Sequence, residues 1–216
     1  MSSSIGTKAD EASSLYYLEN DSEQPIAVQV SLARREMDLN GIETNPKINN
    51  ELSVYPSQLI IPPNEKRSVK VAWVGKDKPT KELAYRLIAE QLPIDLERNK
   101  NKKASIKVLL RYVAALYVKD DVFNSDVILK NISKDNKQVS IEFENCGKKH
   151  QVLANLNLKF SDEKKKKEII FTADELRGMT GENILAESKR VFVFPKVGKF
   201  AEINSNDKVK ISFDKD

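Results

Sequence analysis

Cysteine and histidine each occur once in these 216 residues, as Cys146 and His150. One cysteine excludes an intrachain disulfide, and the pair excludes an ordinary zinc site built from several such ligands. The seven glycines form no phosphate-cradling loop. No apolar run reaches the roughly 18 residues of a membrane-spanning helix, so the chain is not membrane-embedded. The opening MSSSIGTKADEASS lacks the basic-then-apolar order of an export leader. That fits a cytoplasmic chain, and equally a mature exported one. Charge of one sign is also missing: 36 basic against 32 acidic residues leave +4, too balanced for a nucleic-acid binder. The basic run Lys164–Lys167 reads as a solvated loop.

Enzymatic chemistry has little to stand on. His150 follows Lys148 and Lys149 in a turn-like stretch with no acid partner evident in the sequence. It reads as a solvated side chain. Cys146 reads as a half-buried thiol at a strand end. The scattered carboxylates make no motif. The sequence reads as a non-enzyme with no metal and no cofactor.

What the chain does have is alternation. Ile26, Val28, Val30 and Leu32 keep a period of two, as do Val69, Val71 and Trp73, then Tyr85, Leu87 and Ala89. Val139, Ile141 and Phe143 repeat it, followed by Leu156 and Leu158. Strands of this kind bury one face and wet the other, and Trp73 falls on a buried one. Turn signals at Asn20–Ser22, Asn40–Gly41, Pro62–Asn64 and Ser133–Asn136 space them as in a β-sandwich. Only Ala173–Met179 looks helical, for a turn or two. The long strand Ser105–Val118 ends in a charged step near Lys119–Phe123. The expected division is therefore residues 1–120 and 121–216, each a small sandwich in an all-β chain. No internal repeat is evident by sequence.

The order of motifs resembles a family, the periplasmic pilus chaperones of the chaperone–usher pathway, in their variant branch. LYYLEN at 15–20 before PIAVQV at 25–30 is similar to its second and third strands. YPSQLIIPP at 55–63 before Arg67–Val71 resembles its proline-rich turn and next strand. Lys81 and Glu82 ahead of Pro93, with Tyr85, Leu87 and Leu92 between, match its acidic-to-proline spacing. Ile106–Val118 resembles the long last strand of its first domain, and FEN at 143–145 the Asn-bearing strand of its second.

This resemblance implies two immunoglobulin-like β-sandwich domains in an L shape. It implies a chaperone that holds pilus or fimbrial subunits by donor-strand complementation and delivers them to an outer-membrane usher. The donor would be Ala104–Tyr112, with Ile106, Val108, Leu110 and Tyr112 entering the subunit's groove and Leu109, Val113 and Ala115 facing the chaperone's own core. Two basic anchors for the subunit's terminal carboxylate are also implied. Arg111 is the favoured position, Arg86 a helper, and Lys8 the basic residue of the opening segment. Glu82 becomes a charge-pair residue near the domain junction, although its usual basic partner is replaced by Val118, beside Lys119. The loop Ile94–Lys103 resembles the short-loop chaperones. The free protein would be a monomer or a self-capping dimer, and ATP is not implied.

A rival reading is a cytoplasmic module like the major sperm protein domains, binding acidic peptides through Arg34, Arg35, Lys66, Arg67 and Lys70. It leaves the second half of the chain without a role.

Overall fold

A computed structural model describes residues 2–8, 11–48, 50–93, 108–162, 166–204 and 207–213. The chain divides into two compact units, changing over between Asp121 and Val122. Two short segments of the first half, Met37–Glu43 and Thr80–Glu82, belong with the second unit.

In chain order the first half carries ten strands. They are β1 (Ser2–Ile5), β2 (Ser13–Asn20), β3 (Ile26–Arg34), β4 (Glu36–Met37), β5 (Glu43–Thr44), β6 (Leu52–Tyr55), β7 (Gln58–Ile61), β8 (Glu65–Trp73), β9 (Leu83–Leu92) and β10 (Arg111–Val118). One sheet of the first unit runs β1-β10-β9-β3-β7, and the facing sheet β2-β8-β6. The period-two residues meet between them. Val28, Val30, Val69, Val71, Tyr85, Leu87, Leu116 and Val118 are buried in one cluster, with Trp73 packed against it. Burial pushes the Tyr85 phenol above its usual range.

The second unit carries β11 (Val127–Lys134), β12 (Gln138–Asn145), β13 (Gln151–Val152), β14 (Leu156–Asp162), β15 (Lys167–Phe171), β16 (Asn183–Ile184), β17 (Ser188–Pro195), α1 (Lys199–Glu202) and β18 (Lys208–Phe213). Its main sheets are β11-β12-β17 and β15-β14-β18. Its core is richer in aromatics. Phe143 meets Phe192 edge-on at 6.1 Å, and Phe194 stacks on Phe200 at 4.3 Å.

The expected helical turn at Ala173–Met179 is not a helix. The stretch makes successive turns, with Leu176 N–H bonded to Ala173 O at 3.2 Å and Met179 N–H to Leu176 O at 2.7 Å. Its apolar members still go inward, since Leu176 and Met179 are fully buried. The one short helix described is α1, which the period-two reading passed over.

Each unit is tied by a buried asparagine at a strand end. The Asn20 amide donates to the carbonyls of Gln24, Ile61 and Pro62 at 2.8, 3.0 and 3.1 Å, and its oxygen accepts from Ser22 N–H at 3.1 Å. Asn145 likewise donates to the carbonyls of Lys149 and Leu185 at 2.7 and 3.1 Å and accepts from the N–H groups of Asp126 and Gly147, both at 3.0 Å. A carboxamide has both donors and acceptor, so one side chain satisfies loop backbone that the ladders miss.

Replacing Asn20 or Asn145 by Ala strands several of these groups and is expected to cost about 3 kcal/mol in urea unfolding of the full chain. Asp135 makes a pH-dependent contribution. Hydrogen bonds from Lys137 N–H and then Gln138 N–H hold its carboxyl below the usual range. A depressed folded-state pKa gives stability that is present above the unfolded value, near 4, and is lost as pH falls through the folded one. The stability gap between the wild type and Asp135→Ala should therefore be widest at pH 7 and should narrow by pH 2.5.

Candidate functional site

Strand β10 has neighbours of unequal length. On one side β9 pairs with all of it, from Arg111 opposite Glu90 to Val118 opposite Leu83. On the other, β1 runs parallel and covers only Ala115 to Val118. Among the described residues, Arg111–Ala114 has no strand on that flank. Gln91 N–H bonds to Leu110 O at 2.9 Å, and Lys119 N–H to Ile5 O at 3.1 Å. Even-numbered residues thus bond towards β9 and odd ones towards the β1 side. The outward N–H and C=O groups of Arg111 and Val113 lie on an open sheet edge.

The side chains alternate in the same way. Leu116 and Val118 are buried in the sandwich core, and Ala114 packs against it. Continuing that face outward gives Tyr112, Leu110 and Val108, which are 67%, 49% and 73% exposed. The residues expected to enter a partner's groove are therefore on the same face as the protein's own core. This corrects the expected face assignment. Val113 is 41% exposed, and Val113 and Ala115 face the opposite side of the sheet, outside that core cluster. Ile106 and the loop Ile94–Lys103 lie outside the described residues.

The proposed anchors do not converge. Arg111 is half-exposed and pairs with Glu90, Nε to Oε1, at 2.7 Å. Arg86 is on the same outer face opposite Ala115, four residues or about 13 Å from Arg111 along the strands. Lys8 is exposed beside Glu11, Lys119, Asp120 and Asp121, a further four residues beyond Ala115. Arg86 has a closer basic neighbour that sequence reasoning had put in the rival reading. Arg35 bonds through its N–H to Ala84 O at 2.9 Å and through Nη1 to the Tyr117 hydroxyl at 2.8 Å. Ala84 and Arg86 are two residues apart on β9, about 7 Å.

Glu82 is buried, with its side chain 1% exposed. Its partner is His150, not the Lys119 region. Glu82 Oε1 accepts from His150 N–H at 2.9 Å and contacts Nδ1 at 2.5 Å. Glu82 N–H in turn donates to Lys148 O at 2.8 Å. The reading of His150 as a solvated side chain is thereby corrected: it is 18% exposed and holds a carboxylate. Cys146 is exposed, not half-buried.

Comparison with known proteins decides the family. The model of the pili and flagellar-assembly chaperones, PapD N-terminal domain, matches residues 2–119, more than half of the chain. The chain belongs to this family of pilus-assembly chaperones. It is a chaperone family and not a class of enzymes. No curated protein matches.

Solved structures agree on the fold. The class 5 fimbriae chaperone CfaA is 16% identical, with TM-score 0.63 over 99% of this chain and 96% of that one. A chaperone–tip adhesin complex of CFA/I fimbriae biogenesis gives 18% and 0.64 over 97% and 91%. The CsuC–CsuE chaperone–tip adhesion subunit pre-assembly complex of Acinetobacter baumannii gives 14% and 0.59 over 96% and 93%. At these identities the matches establish the fold alone, two immunoglobulin-like β domains.

The family assignment displaces the peptide-binding module. Several cations of that reading have partners inside the first unit. Arg34 pairs with Glu51 at 2.8 Å, and Lys66 with Glu19 at 2.9 Å.

His150→Ala would take the imidazole from the buried Glu82 carboxyl and leave it the backbone N–H bond. It is expected to cost about 2 kcal/mol in equilibrium unfolding. Glu82→Gln with His150 retained should cost less.

Proposed function

We propose that this chaperone is periplasmic, captures pilus or fimbrial subunits by donor-strand complementation, and hands them to an outer-membrane usher. The observation that carries the reading is the open edge of β10 beside an apolar face at Val108, Leu110 and Tyr112. An immunoglobulin-like subunit short of one strand needs both things such an edge offers. It needs backbone partners at strand spacing and alternate apolar side chains for its own groove. Ile106 continues the alternation by sequence and is included in the donor. Each side chain buried this way is worth roughly 1.5–3 kcal/mol. Two of the structural neighbours are complexes of a chaperone with a tip subunit, which supports the same class of partner here. Without a subunit, a second copy could cover the edge, so the free protein is a monomer or a self-capping dimer.

The carboxylate anchor is part of the proposal. Arg111 pairs with Glu90, and Arg86 stands on the face that also holds Arg35. We assign the main anchor to Arg86 for its place beside Arg35. Arg111 and Lys8 each lie about four residues, ~13 Å, along the edge from Ala115, the residue opposite Arg86. Glu82 is no part of the anchor; its contact is with His150.

The test is co-expression with candidate subunits, scored by recovery of a one-to-one complex. Leu110→Asp should weaken capture at least tenfold, the loss of one buried apolar side chain. The stability of the free protein should shift by no more than about 0.5 kcal/mol. Undiminished capture by Leu110→Asp would sink the donor reading. Comparing Arg86→Ala with Arg111→Ala ranks the anchors, and a larger loss for Arg111→Ala would reverse the assignment.

A further inference from the structure

Among the described residues, the first sandwich is open at the end where β10 begins. A cleft of 540 Å³ enters there between the two sheets. Its floor is core: Val28 and Ile61, buried side chains of the cluster that fills the unit, with Ala89 beside them. Its lips are Leu110 and Tyr112 from the open edge and Tyr17 from β2, the edge strand of the facing sheet. The volume has a local cause. Ala89 stands opposite Tyr112 in the β9–β10 ladder, so a small residue occupies an inward position next to an exposed large one. The two charged residues of the lining are acidic, Glu19 and Asp21, and Lys66 answers Glu19 at 2.9 Å, so the cleft offers a guest chiefly apolar surface.

We propose that this cleft receives a large apolar side chain from the subunit strand that pairs with β10. The inference rests on the donor-edge reading and adds to it a pocket in the chaperone that accepts something from the subunit. Geometry leads there. A guest strand on the Arg111–Val113 edge lies about 4.8 Å beyond β10 and extends the same sheet. Its inward side chains share the face of Tyr112 and Leu110, over the gap to β2. Sheets packed about 10 Å apart leave room for an aromatic or branched aliphatic group at that depth. A 540 Å³ hollow with core at its base falls within the size range of ligand pockets. Exchange is thus two-way: the chaperone's apolar row enters the subunit, and one subunit side chain enters the chaperone.

Strand-forming peptides test this on the full chain. The peptide KTVTFTVTK carries a central inward Phe, and KTVTATVTK carries Ala there. The wild type should bind the Phe peptide about tenfold more tightly than the Ala peptide. Gln91→Phe fills the cleft from its rim; it keeps the backbone bond to Leu110 O and gives up the contact of Gln91 Oε1 with Leu110 N–H at 3.4 Å. It should abolish the Phe preference while the Ala peptide still binds. Ala89→Leu should do the same from the floor, and if that core change does not fold, Gln91→Phe decides. Equal binding of the Phe and Ala peptides by the wild type, or a preference that survives Gln91→Phe, overturns the pocket and leaves the donor edge standing. Failure to bind either peptide overturns the donor edge and the pocket with it.

Discussion

One strand of this protein has to belong to two ladders. From Ala115 onward β10 is held on both sides and is part of a closed sandwich. Among the described residues, Arg111 to Ala114 is held by β9 alone. The paired half gives rigidity, and the open half leaves backbone groups for a guest. An open edge of this kind is costly by itself, because unpaired edges recruit whatever strand comes near. It is supported here by the continuity of the strand. Leu116 and Val118 are locked in the core, so residues a few positions earlier are presented in a fixed register and twist.

The alternation fixes a second property. Core residues and the proposed donor residues Tyr112 and Leu110 share the even-numbered face, so the apolar row continues from Val118 past the start of β10 to Leu110. Where it leaves the facing sheet, burial stops while the hydrophobic pattern goes on. Among the described residues the sandwich is unfinished at that end, with the cleft beside Ala89 as its open volume.

Much of the scaffold was legible in the sequence because period-two burial is a local property. Tyr85, Leu87 and Ala89 go inward as their spacing demands, and Val139, Ile141 and Phe143 do the same in the second unit. The parity of β10 was misjudged because Leu109, Leu110, Tyr112 and Val113 are apolar on both faces, and the sequence alone has no cue to which set meets the core. Long-range polar contacts left even less trace. Glu82 and His150 are 68 residues apart, and a lone histidine after two lysines carries no mark of a buried partner. The two buried asparagines show the opposite case. Turn residues at Asn20 and the FEN segment at Asn145 were visible as motifs, but that both tie loops by the same carboxamide contacts required the backbone around them. The repeat lies in that bonding, and the strand sequences do not show it.

Charge placement bears on how an adhesive edge avoids its own copies. On β10 the apolar groups take one face, while Arg111, paired with Glu90, takes the other. A two-fold antiparallel pairing of two such edges centred at residue 111 would set Arg111 against Arg111, and like charges directly opposed across strands are unfavourable. A guest without a cation at that register meets no such opposition. The same few residues therefore both expose an edge and bias what pairs with it, which a chaperone needs if it is to meet its subunit before it meets itself.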